Sequence, residues 1–156
     1  VNLPFSDMAN ALSTGQIAAF SSAELGPATA IKAGAHSLIS PYETPVGRVN
    51  IGLATTQRTI DENPDLVRTL VDVHAETAAF LDAERDVWQQ GVVGEFGLDS
   101  EVAETAIANI WPRSDLSNDY RSQVAALTRQ MVALGQIPVE PDLKVFIDDS
   151  FQKADQ

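Results

Sequence analysis

The chain has 156 residues, a formal net charge of -12 and 44% hydrophobic residues, enough for a domain with a core and too apolar for a disordered tail. The acidic excess argues against nucleic acid and anionic membrane surfaces as partners, since both are met by basic patches. There is no cysteine, which excludes disulfides and thiolate metal sites, and no apolar run approaches the ~18 residues of a membrane span.

In chain order, Val1 to Leu3 reads as the end of a strand. Ser6 is an N-cap candidate with Asp7 in the first helical turn, and Met8, Ala11 and Leu12 form an apolar stripe that stops at Gly15. Ile17–Phe20 has the length of a strand in a covered parallel sheet. Ser21, Ser22 and Glu24 follow at its carboxyl end, and a helix starts near Glu24 with Pro27 in its first turn and Gly34 at its close. His36–Ser40 reads as another short strand, centred on Ser37–Ile39. Pro41–Gly47 is rich in turn formers, and Val49–Thr55 is the core of the longest strand candidate.

Beyond Thr56 the spacing predicts helices only. Thr59 and Glu62 have capping-box spacing for a brief turn. Asn63, Pro64 and Asp65 supply an N-cap, a first-position proline and a first-turn acid. Leu66, Leu70, Val73, Thr77, Phe80 and Leu81 then recur at helical spacing, continuing toward Trp88 until Gly91, Gly94 and Gly97 break the pattern. Asp99 or Ser100 opens a helix with Val102, Ala106 and Ile110 inward, ended by Trp111 and Pro112. Ser117 opens the next, with Val124, Leu127, Met131 and Leu134 on one face and Gly135 as its stop. Leu143 to Ala154 reads as a last short helix with Ile147 and Phe151 inward.

The run Ala11-Leu12-Ser13-Thr14-Gly15-Gln16-Ile17-Ala18-Ala19-Phe20, followed by a polar loop and a helix, resembles the periplasmic substrate-binding proteins of the nitrate, sulfonate and taurine transporter group and the related pyrimidine-precursor binding proteins. The resemblance continues at Asn50-Ile51-Gly52-Leu53-Ala54-Thr55-Thr56, at Glu62-Asn63-Pro64-Asp65-Leu66-Val67 and at Phe146-Ile147-Asp148-Asp149-Ser150-Phe151. Ala18 stands where such proteins often carry aspartate, and Leu25 and Gly26 separate Glu24 from Pro27, where they often carry an adjacent Glu-Pro pair. The resemblance implies an α/β chain with part of a type II periplasmic-binding-protein fold: residues 1–47 as the rear of one lobe, and 48–156 as a crossing strand and helices returning to the other. It implies a fragment of a longer protein, which fits the opening at Val1, and a capacity to self-associate through apolar surfaces left without cover.

The implied function is the solute-binding component of an uptake transporter, without enzymatic activity or cofactor, periplasmic or extracellular and lipid-anchored in full-length form. Its partners would be a membrane permease and a small anionic or zwitterionic solute. The alternatives are a ligand-sensing or protein-interaction domain of a regulator, and a pyrimidine-synthesis enzyme on the same fold. Those enzymes use a cysteine-rich segment that this chain lacks.

Candidate ligand contacts are Ser21, Ser22 and Glu24. A strand end beside a helix N-terminus is where α/β proteins hold anions; serine hydroxyls can donate to an oxyanion, and a carboxylate can take an amine. Against this stands a plain capping role for the serines. Tyr42 and Thr55 are lesser candidates: a half-buried structural tyrosine and a cap for the following turn are the competing readings, the second applying also to Thr56. His36 and His74 lie in no cluster with ligand spacing, so no metal is expected. Asp82, Glu84, Arg85 and Asp86 read as a solvated helix face, and Asp148 and Asp149 as the polar side of the last helix.

Overall fold

Apolar helical stripes that run into glycines decide where the first helices stop. In the computed structural model, which describes residues 2–49 and 51–152, α1 (Phe5–Ser13) and α2 (Leu25–Lys32) both close this way. Gly15 and Gly34 take φ values of 70° and 94°, positions costly for any residue with a Cβ. Each closure is a Schellman motif: Gly15 and Gln16 N–H donate back to the Leu12 and Ala11 carbonyls, and Gly34 and Ala35 N–H to those of Ile31 and Ala30. The N-cap of α1 is Pro4, not the expected Ser6.

The expected α/β fold is not present: every regular element among the described residues is a helix. Ile17–Phe20, Ser37–Ile39 and Val49–Thr55, read above as strands, carry no strand pairing; Val1 and Asn50 lie outside the described residues. A strand exists only with a neighbour about 4.8 Å away to complete its hydrogen bonds, and none lies alongside. Ile17 N–H instead joins the closure of α1, donating to the Ala11 carbonyl at 3.3 Å. Residues 36–39 run as exposed coil, with Leu38 84% exposed, and 51–56 likewise, with Ile51 91% exposed. The type II periplasmic-binding-protein architecture, which needs a sheet in each lobe, falls with these strands.

The chain divides into two compact units, one built from residues up to Ile39 with Phe80–Pro112, the other from Ser40–Ala79 with residues from Arg113 on. In the first, α2 packs against α1 and against α6 (Ser100–Ala108), and α5 (Arg85–Phe96) packs against α6. The α2–α6 seam is made of small side chains: Ala28, Val102 and Ala106 form one buried cluster. Ile110, expected inward, lies beyond the end of α6 and is exposed. Asp99 caps α6, accepting from Glu101 and Val102 N–H, and its carboxylate meets Lys32 Nζ of α2 at 2.5 Å. That ion pair, with the two N–H bonds, holds the Asp99 carboxyl below the usual carboxylate range and raises Lys32.

In the second unit, Thr56 caps α3 (Gln57–Glu62) by accepting from Thr59 N–H, so the cap lies three residues before the expected Thr59. The helix α4 (Pro64–Ala83), of which the residues up to Ala79 belong to this unit, starts at the predicted proline. Ser117 caps α7 (Asn118–Ala133) as its sequence suggests. The expected last helix is a single turn, α8 (Leu143–Phe146). Asp148 Oδ1 takes the Ser150 N–H at 2.9 Å, a local bond that competes with helix continuation; Ala154 lies outside the described residues. Ile147 and Phe151 are nonetheless buried. The Arg68 guanidinium sits 5.3 Å from the Phe151 ring centre, Arg121 pairs with Asp149 at 2.5 Å, and Gln152 donates to the Ser114 carbonyl. Asp148 and Asp149 therefore anchor the chain after α8 and do not form a helix face. The α4 side chains Leu66, Leu70 and Val73 are exposed.

Contrary to the predicted break, α5 runs through Gly91 and Gly94. Glu84, at φ -112° and ψ 54°, instead separates it from α4. Half-buried Trp88 and the Gln89 bond to the Ser100 carbonyl hold α5 in place. A Cβ added at either glycine would meet nothing within 4 Å, so Gly91→Ala and Gly94→Ala should each raise stability by about 0.5–1 kcal/mol in chemical denaturation.

Candidate functional site

The loop Ser21–Glu24 keeps the place that the sequence suggests, directly before α2, although a closed helix end and coil precede it instead of a strand. Ser21 is exposed, while Ser22 and Glu24 are half-buried. Glu24 is the N-cap residue of α2 but makes no side-chain capping bond. Gly26 permits a close approach of loop to helix: a Cβ there would lie 2.8 Å from Ser22 Oγ and 3.0 Å from Ser22 Cβ.

Two of the donors expected at this helix start are not on offer, and the Ala28 N–H makes the first regular bond of the helix. Gly26 N–H donates to Ala23, Ala28 N–H donates to Glu24, and Pro27 has no N–H. A carboxylate at Glu24, the N-cap residue, repels a bare anion at this helix start. What the loop presents is a pair of hydroxyls beside a carboxylate, a set that suits a ligand carrying both a cationic and an anionic group.

The other predicted contacts belong to the second unit. Tyr42 is half-buried in a 3-10 turn, Pro41–Glu43. Thr55 is exposed in the coil before α3, and Thr56 is the residue that does the capping. Ser21, Ser22 and Glu24 are grouped by chain continuity within the first unit. Two shallow hollows of the first unit lie elsewhere. One, of about 200 Å³, is lined by residues that include Leu12, Ser13, Ala30 and Gly34; the other, of about 250 Å³, by Asp86, Gln89, Val93 and Ser100 among others.

Other charged groups serve the framework. His74 Nε2 donates to the Arg113 carbonyl at 3.2 Å. Arg113 grips Asp115 through two bonds, of 2.7 and 2.6 Å, and this guanidinium holds the Asp115 carboxyl far below the usual range. Arg85, read from sequence as part of a solvated face, instead donates through Nη1 to the Ile107 and Ile110 carbonyls at 2.9 and 3.0 Å. Only its position just after Asp82 hinted at a fixed partner; the α6 carbonyls come from more than twenty residues away. Among the described residues no group of three or more histidines or carboxylates is placed to hold a metal ion, and no helix is long and apolar enough to cross a membrane.

No protein family, curated protein or solved structure matches the chain.

Proposed function

We propose that the chain acts as a solute-binding component of an uptake transporter and takes a small zwitterionic solute of the aminosulfonate kind. One observation carries this reading: the run Ala11–Phe20, which resembles that of the transporter group, leads into Ser21, Ser22 and Glu24 at the start of α2. The later runs that resemble the same group, 50–56, 62–67 and 146–151, follow in order along the chain. Two hydroxyls would take the anionic end and Glu24 the ammonium, and the Glu24 carboxylate favours a zwitterion over nitrate. Binding of this kind needs no covalent step, and uptake would require a membrane permease as partner.

Titration calorimetry with taurine and with nitrate tests the reading on the wild-type chain and on Ser22→Ala and Glu24→Ala. Taurine should bind more tightly than nitrate. Glu24→Ala should weaken taurine roughly tenfold or more, the worth of a charge-assisted hydrogen bond, and Ser22→Ala by less, with melting temperatures nearly unchanged. Taurine affinity undiminished in both variants would remove this loop from the site, and absence of binding by the wild-type chain would refute the reading.

A further inference from the structure

We draw no further inference here: the strongest candidate, the exposed apolar stripe of Leu66, Leu70 and Val73 on α4 with the uncharged coil from Ile51 to Thr55 in the same unit, carries nothing because nothing in the structure shows what covers it.

Discussion

Ala106→Asp should unfold the α2–α6 seam. Ala106 is 2% exposed and belongs, with Ala28 and Val102, to a cluster without a polar side chain. The side chains of the cluster are small and apolar, so none of them offers the new carboxylate a hydrogen-bond donor. Burying an unpaired carboxylate costs several kcal/mol, and a domain of this size has only about 5–15 kcal/mol of stability to lose. The expected loss is about 3 kcal/mol or more, seen as a fall in Tm on the order of 10 °C. Ala108→Asp is the matched control on the same helix. Ala108 is exposed, so its cost should stay within about 1 kcal/mol, mainly from a negative charge near the helix C-terminus. Equal Tm values for the two variants would show that the seam is not a core.

Arg85→Ala should be the most damaging truncation of a charged side chain in the same unit. Its guanidinium spans four attachments: the carbonyls of Ile107 and Ile110, the Asp82 carboxylate at 2.9 Å, and the Trp88 ring at 5.7 Å from its centre. The two carbonyls lie at and beyond the last turn of α6, where the helix leaves acceptors without internal partners. Hydrogen bonds from a charged donor are worth about 1.5–3 kcal/mol, and a loss in that range is expected from the denaturant midpoint at unchanged slope. Arg85→Lys should recover less than half of it, because an ammonium cannot reproduce the planar fork that reaches both carbonyls and the carboxylate together. Full recovery by lysine would mean that charge, not geometry, holds α6.

What the sequence made legible was local. Gly15, Gly34 and Gly135 end helices because the closure is decided within six residues, and Pro64, Asp99 and Ser117 mark starts for the same reason. Strands are not local. Ile17–Phe20 and Val49–Thr55 have the apolar, partly β-branched composition of strands, but pairing depends on a neighbour that no short window contains. Glu84 and the α5 glycines misled in the opposite direction: the interruption falls at a residue of good helix propensity, and the helix continues through two of poor propensity. Arg85 escaped notice because its carbonyl partners are brought near only by packing. For the site, the loop position of Ser21–Glu24 followed from helix punctuation alone. The Gly26 N–H bond to the Ala23 carbonyl did not, and with the Glu24 carboxylate beside it the expected ligand shifts from a bare anion toward a zwitterion.

The central structural claim is that order in this chain resides in helices, while its strand-like apolar runs stay unpaired. Residue-resolved amide hydrogen exchange tests it most directly. Amides of residues 36–39 and 51–55, which make no backbone hydrogen bond to another described residue, should exchange at rates close to those of an unstructured peptide. Those of Ala103, Ala106 and Ile107, buried on α6, and of Val124, Ala126 and Thr128, buried on α7, should be the slowest in their units. Slow, alternating protection across 51–55 with cross-strand contacts to another segment would contradict the account and restore a sheet.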